Sequence, residues 1–180
     1  MNFIEKTAVT ADITQMTKDL NDVLDVFSFP KREQIGLNHR PGASDIWLDN
    51  TGSIYDRDEQ KFIADETDFS VWNDKIPTYT TKKIQELANS FNFKLGRVRY
   101  MRLRPKTGLM VHHDQEARFH FVLKTNPHSY AFLTNPQPGI DASGWNVPCD
   151  GHFYKIDTTK EHFVYNGGNT DRIHLVICAI

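Results

Sequence analysis

The spacing of apolar residues changes near residue 97, and the two parts of the chain predict different elements. In residues 10–27 the apolar side chains recur every three or four positions, which is typical of an amphipathic helix. Thr10 is placed to cap this helix, and Pro30 is placed to end it. A second helix is expected over residues 80–90, with a buried face formed by Ile84, Leu87 and Phe91.

From residue 97 onward, apolar and polar positions alternate with a period of two, which is the pattern of half-buried strands. Segments rich in Pro, Gly and Asn separate the alternating runs and predict turns. Many short strands at regular spacing predict a mainly β protein, either a sandwich or a jelly roll. The predicted strands cover residues 97–104, 109–115, 118–125, 130–134, 152–157, 162–166 and 172–180.

The segment between the two helices has a weaker pattern. Residues 39–42 and 50–52 are predicted turns, and residues 56–79 are acidic and predicted to be irregular. Short strands are suggested around four apolar residues, Ile35, Leu37, Ile46 and Leu48.

Length and composition predict one globular domain of 180 residues. The pattern divides it into a helical or irregular part over residues 1–95 and a strand-rich core, a sandwich or jelly roll, over residues 96–180. The formal net charge of −2 gives no bulk attraction to nucleic acid or to an anionic membrane. No apolar run has the length of a membrane span, and the first residues lack the apolar core of a signal peptide. With only two cysteines, the simplest expectation is a reduced, cytoplasmic protein.

Seven of the eight histidines lie between residues 112 and 174. Side chains two positions apart on a strand point to the same side, so His112 and Asp114 can bind one ion while His113 faces away. A third ligand from a distant strand would complete a facial set of two histidines and one carboxylate, as in non-haem Fe(II) oxygenases. His162 is the best candidate, because it begins an apolar run and has Arg172 ten positions downstream.

Arg172 predicts the charge of a second ligand. A guanidinium binds a carboxylate through two parallel hydrogen bonds, so a buried arginine near a metal suggests an anionic small molecule. A zinc hydrolase is less favoured, because a basic group beside the metal serves an organic acid better than water.

Three motifs resemble a known family. They are H-x-D at residues 112–114, R-F-H at residues 118–120, and H-x-x-x-N-x-G-x-x-x-R-I-H-L at residues 162–175. Together they resemble the aspartyl/asparaginyl β-hydroxylase group of 2-oxoglutarate- and Fe(II)-dependent oxygenases, and the bacterial proline cis-hydroxylases look similar. The resemblance covers roughly residues 97–180, and the third motif is its most specific part.

The resemblance implies a double-stranded β-helix, a cupin-like jelly roll with the N-terminal helices packed outside. It implies His112, Asp114 and His162 as iron ligands, and Arg172 as the partner of the far carboxylate of 2-oxoglutarate. Arg118 and His120 match a basic pair that also contacts this cosubstrate. The vertebrate aspartyl/asparaginyl enzyme lacks the acidic ligand, so Asp114 places the chain nearer the small bacterial and proline-hydroxylase type.

The implied activity is a dioxygenase that uses Fe(II), 2-oxoglutarate and O2, with ascorbate as a candidate stimulant, and releases succinate and CO2. The expected substrate is an amino acid, either free or as a residue of a peptide or protein, hydroxylated as Asp, Asn or Pro are. No nucleic-acid or membrane partner is expected. The alternatives are a cupin-type metalloenzyme with other chemistry and a non-catalytic jelly-roll binding protein.

Other polar residues near these motifs keep two interpretations open. His174 lies on the same strand face as Arg172 and fits a pocket role or a core role equally well. Arg97 and Arg99 share one face of their predicted strand, and Arg102 and Arg104 share the other. Either face could present a guanidinium to a substrate carboxylate, or all four side chains could be solvated.

Overall fold

A computed structural model describes residues 3–56, 58–134 and 144–180 of the chain. Within these residues there are two helices, α1 (Ile13–Val26) and α2 (Thr78–Phe91), and a short 3-10 turn at Glu66–Asp68. Neither helix is long and apolar enough to cross a membrane. The strands are β1 Ile4–Thr10, β2 Gln34–Gly36, β3 Asn38–His39, β4 Tyr55–Asp56, β5 Lys61–Phe62, β6 Val71–Trp72, β7 Leu95–Leu103, β8 Thr107–His112, β9 Arg118–Lys124, β10 Ser129–Leu133, β11 His152–Ile156, β12 His162–Asn166 and β13 Arg172–Ala179.

Two antiparallel sheets form the body of the molecule. The large sheet has six strands in the order β1-β11-β9-β13-β7-β2, and the small sheet has three strands in the order β10-β12-β8. Two further pairs, β3-β6 and β4-β5, lie in the segment between the helices. The prediction of a mainly β jelly roll is confirmed, and all seven strands predicted from the alternating pattern are present.

Alternation along the central strands separates two cores. In β13, Ile173, Leu175 and Ile177 belong to a core that includes Met16 and Leu20 of α1 and residues of α2. The alternate residues of the same strands face the small sheet, where Leu103 and Val122 pack with Leu133 and Val164. The helices therefore cover one face of the large sheet, and the small sheet covers the other.

The N-terminal part contributes the two edges of the large sheet. Strand β1 pairs with β11, and β2 pairs with β7, where Gln34 lies opposite Met101. The short strand suggested around Ile35 is present as β2, whereas β1 does not stand out in the sequence, since it is an edge strand with few buried side chains.

Several local predictions are wrong. The residue that caps α1 is Asp12, whose side chain accepts a hydrogen bond from the Gln15 backbone N–H at 2.9 Å, because Thr10 is part of β1. Phe91 is 40% exposed at the end of α2, although it was predicted to lie on the buried face. Ile46 and Leu48 lie in turns, so the strands suggested around them are absent.

Asn166 ties together three turns at one end of the sheets. Its fully buried amide donates to the carbonyls of Leu103 at 3.0 Å and Thr170 at 2.8 Å. Its Oδ1 accepts from the Asn126 side chain at 2.9 Å and from the Gly168 backbone N–H at 3.2 Å. The turns before β8, before β10 and before β13 therefore share one side chain.

We expect the Asn166→Ala variant to lower the free energy of unfolding by about 2–3 kcal/mol, because it leaves several buried polar groups without a partner. Chemical denaturation measures the change. Asn21→Ala, on the exposed side of α1, is the matched control and should change the free energy of unfolding by less than about 0.5 kcal/mol. Equal stability of the two variants would contradict the role of Asn166.

Candidate active site

A group of potential metal ligands lies where β8 ends and β12 begins. His112, the last residue of β8, is the cross-strand partner of His162, the first residue of β12. Their ring centroids are 4.4 Å apart. Asp114 completes the group, since one potential ligand atom from each residue lies within 4.8 Å of the others. The structure therefore brings together the three residues that the sequence predicted as ligands, and the exposed His113 lies outside the group.

The hydrogen bonds of this group leave one ligand atom available on each residue. Nδ1 of His112 lies 2.7 Å from the Met110 carbonyl oxygen, and Nδ1 of His162 lies 2.8 Å from that of Lys160. A carbonyl only accepts, so each Nδ1 carries the proton and each Nε2 keeps a lone pair. This arrangement is typical of histidines that bind a metal.

The protonation state of His162 and the orientation of Asp114 also favour binding of a cation. Burial lowers the pKa of His162, so the neutral form that binds metals is present at neutral pH. Asp114 Oδ1 accepts a hydrogen bond from Arg118 Nη2 at 2.6 Å, which orients the carboxylate and leaves Oδ2 for another partner. The three residues therefore fit a divalent ion with a facial ligand set.

A cavity of about 240 Å³ adjoins the three ligands. The predicted cosubstrate residues Arg118, His120 and Arg172 all line it. Arg172 is buried, and burial lowers its pKa to about 9, so the guanidinium remains charged at neutral pH. No carboxylate in the described part of the chain forms an ion pair with it.

Arg172 is held instead by a pair of buried histidines. Its Nη2 lies 3.0 Å from Nδ1 of His174, and the same Nδ1 lies 3.2 Å from Nδ1 of His120. A guanidinium only donates, so Nδ1 of His174 accepts and the proton of His120 is on Nδ1. Burial, followed by the charge of Arg172, lowers the pKa of both histidines well below the usual value, so both are neutral.

His174 therefore has both the core role and the pocket role that the sequence left open. It is fully buried, and it orients Arg172 in the cavity wall. One residue of the cavity wall was missed entirely. Gln34 reaches the site only because β2 pairs with β7, and the strand suggested around Ile35 carries no local signal for its partner.

Comparisons with known proteins agree with this geometry. A model of the aspartyl/asparaginyl β-hydroxylase family matches residues 11–180. The chain belongs to this family. The resemblance inferred from the three motifs is thereby confirmed, and it extends through most of the N-terminal part. No individual curated protein matches the sequence at a significant level.

Solved structures of similar fold include hydroxylases that cover nearly the whole chain. A viral collagen prolyl hydroxylase from Paramecium bursaria Chlorella virus 1, solved as its 2OG complex, is 12% identical with a TM-score of 0.58, over 99% of this chain and 95% of that chain. A prolyl-4-hydroxylase from Pseudomonas putida is 13% identical with a TM-score of 0.52, over 99% and 92%. AviO1 from Streptomyces viridochromogenes is 10% identical with a TM-score of 0.57, over 99% and 89%. At these identities the similarity concerns the fold.

For this member of the β-hydroxylase family, we expect His162→Ala to abolish stoichiometric binding of Mn(II), Co(II), Ni(II) or Zn(II). Two remaining ligands hold a divalent ion far less tightly than a facial set of three. Isothermal titration calorimetry on the metal-stripped protein measures this binding. His113→Ala is the matched control, since it removes a histidine next to the ligand His112 and should leave metal affinity unchanged. Normal metal binding by His162→Ala would refute the assignment of the ligands.

Proposed function

We propose that the chain is an Fe(II)- and 2-oxoglutarate-dependent dioxygenase that hydroxylates an amino acid or a peptidyl residue and releases succinate and CO2. O2 is the second cosubstrate in this proposal, and ascorbate is a stimulant of the reaction. The observation that carries the proposal is the position of Arg172, a buried guanidinium without a carboxylate partner among the described residues, in a small cavity that adjoins the three candidate ligands.

The ligands would hold the iron through Nε2 of His112, Nε2 of His162 and Oδ2 of Asp114. Bound Fe(II) would supply the redox chemistry that couples decarboxylation of 2-oxoglutarate to oxidation of the substrate. Arg118 keeps the Asp114 carboxylate in one orientation through their hydrogen bond at 2.6 Å. His112 and Asp114 line both cavities of the protein, so a molecule bound in either cavity would lie beside an ion held by these residues.

The size and charge of the smaller cavity suit a small dicarboxylate. A volume of about 240 Å³ lies below the range of pockets for larger organic ligands, roughly 300–1,000 Å³. A buried guanidinium recovers its desolvation free energy only with an anionic partner, and Arg172 would find that partner in a bound carboxylate. This would be the carboxylate of 2-oxoglutarate that lies farther from the candidate metal ligands. The neutral His120–His174 pair adds no second positive charge, so Arg172 provides the anion selectivity of this wall.

His120 has a narrower role in this proposal than a second cation would have. Its Nδ1 proton is directed to His174, so its Nε2 is an acceptor in the neutral form. We therefore propose that His120 and His174 orient Arg172, and that His120 contacts the cosubstrate as a neutral ring. Arg118, which forms an ion pair with Asp114, supports the ligand set and contributes less to the affinity for 2-oxoglutarate than Arg172.

We expect Arg172→Ala to raise the apparent KM for 2-oxoglutarate roughly 30- to 1,000-fold, equivalent to about 2–4 kcal/mol, because it removes one partner of a desolvated charge pair. Arg172→Lys should also be impaired, since an ammonium cannot form two parallel hydrogen bonds with a carboxylate. Arg40→Ala is the control, because Arg40 pairs with Asp49 away from both cavities. If the apparent KM for 2-oxoglutarate were unchanged in Arg172→Ala, the residue that binds the far carboxylate would have to be a different one.

The activity itself is tested by a screen for succinate release. Free proline, aspartate and asparagine, and short peptides that contain them, are incubated with Fe(II), 2-oxoglutarate and ascorbate in air. We expect succinate formation coupled to a mass gain of one oxygen in at least one substrate, and no product with His162→Ala. Oxygen transfer only to a nucleobase, lipid or sugar would refute the substrate class, and metal-dependent turnover without succinate would favour a cupin-type enzyme.

A further inference from the structure

A second, larger cleft of about 690 Å³ is lined by two of the candidate ligands, His112 and Asp114. His112, Asp114 and Arg118 line both cavities, whereas Arg172 and His120 line only the smaller one. A molecule in the larger cleft would therefore approach the ligands without entering the cavity that Arg172 marks. This is the place for the substrate that is hydroxylated, if the proposed function holds.

Two buried arginines of β7 line this cleft and differ in their partners. Arg97 forms a forked ion pair with Glu66, with Nη2–Oε1 at 2.7 Å and Nε–Oε2 at 3.0 Å, and it also donates to the Gly52 carbonyl at 2.8 Å. Burial of Glu66 opposes its ionisation, but the hydrogen bonds and charge of Arg97 lower its pKa to about 2. The charge of Arg97 is therefore already compensated within the protein.

The charge of Arg99 is not compensated. Its side chain is only 2% exposed, and its Nε has no hydrogen-bond partner. Its Nη1 lies 3.3 Å from Oε1 of Gln34, and its Nη2 lies 3.7 Å from Sγ of Cys178. Burial, followed by the charge of Arg97, lowers the pKa of Arg99 to about 10, so it remains a cation at neutral pH.

Neutral partners hold Arg99 in place without neutralising it. Oε1 of Gln34 also accepts a hydrogen bond from the Gly52 backbone N–H at 3.0 Å, so the amide that contacts Arg99 is itself fixed. A buried cation without an anionic partner is unfavourable in a folded protein. An anion in the cleft would supply the missing partner, as in the smaller cavity.

The cleft also has apolar walls near its opening. Tyr55 of β4 and Phe62 of β5 form an edge-to-face pair with ring centroids 5.0 Å apart, and they are 37% and 50% exposed. Met110 and Val111, near the end of β8, are 87% and 52% exposed. Single exposed apolar residues are ordinary, but all four of these line the same cleft. The ligand of the cleft should therefore carry an apolar group as well as an anion.

We propose that Arg99 binds the carboxylate of the substrate, and that this substrate is an amino acid with an apolar side chain whose α-carboxylate is free. The proposal deepens the proposed function, on which it rests, because an internal residue of a peptide has no such carboxylate. Glu116 and Glu161 also line the cleft and provide anionic groups for an α-ammonium. A free amino acid and the C-terminal residue of a peptide share the carboxylate, and the experiment separates these two sources.

The first measurement needs no variant and no turnover. The protein is loaded with Zn(II) and 2-oxoglutarate, and binding of leucine, isoleucine, valine and proline is measured by calorimetry. The same residues are offered as their amides, as C-terminal residues of tripeptides and as internal residues of blocked peptides. We expect at least one free acid to bind, and its amide and its internal form to bind about 30-fold more weakly or worse. Binding of the tripeptides would assign the site to a peptide C-terminus.

The second measurement separates the two arginines. Arg99→Gln should weaken binding of the amino acid about 30-fold or more and leave binding of 2-oxoglutarate unchanged, because Arg99 does not line the smaller cavity. Arg172→Ala should lose 2-oxoglutarate binding. Arg99→Lys should recover part of the amino-acid affinity, because it restores the charge without the forked geometry. Circular dichroism and thermal melting verify that each variant is folded.

The other possible results of these two measurements also test the assignment of Arg99. Equal affinity for an acid and its amide, preference for internal peptide residues, no binding of any of these acids, or unchanged affinity in Arg99→Gln would each overturn the proposal. If Arg99→Gln does not fold, the comparison of acids with amides on the unaltered protein still decides. Succinate release with internal peptide residues would overturn this inference and leave the proposed function intact, whereas absence of succinate with every substrate would count against the proposed function itself.

Discussion

Alternation of side chains along β7, β9 and β13 is the constraint on which both the core and the site depend. These adjacent strands direct Val98, Tyr100, Phe119, Phe121 and Leu175 toward the helices, where they form the larger core. Their alternate positions carry six basic residues that face the other way, namely Arg97, Arg99, Arg118, His120, Arg172 and His174. Slippage of one strand by one residue would exchange the two sets and bury several charges under the helices. The same apolar packing that stabilises the large sheet therefore fixes the positions of Arg99, Arg118, His120 and Arg172, whereas His112 and His162 are positioned by β8 and β12 of the small sheet.

The sequence reveals the elements that repeat this alternation and misses those that do not. Strands β7 to β13 and the three ligands follow from a period of two combined with chemistry-bearing residue types. The helix start at Asp12 could not be separated from one at Thr10, because both residues can cap, and only the pairing of β1 with β11 assigns Thr10 to a strand. Gln34 enters the site through a long-range strand pairing, which leaves no local pattern.

The sequence also could not show which of the arginines at positions 97, 99, 102 and 104, in β7 and directly after it, keeps an uncompensated charge. Arg97 and Arg99 have the same parity and similar burial, but Glu66 pairs with Arg97 alone. Arg102 and Arg104 face the opposite side and pair with Glu33, so their positive charges are already compensated within the protein. Which guanidinium remains uncompensated depends on acidic residues 31 or more positions away, in segments predicted to be irregular.

The result is a regular distribution of charge around the candidate metal ligands. Arg118 and Arg97 are compensated by Asp114 and Glu66, and each of these pairs orients a part of the site. Arg172 and Arg99 have no carboxylate partner in the described residues, and one of them lies in each cavity. Two uncompensated buried cations reduce the stability of the free protein, and a second anion would be favoured even after the first cavity is filled. Because the two cavities share His112, Asp114 and Arg118, two anionic ligands bound in this way would both lie next to the candidate metal ligands.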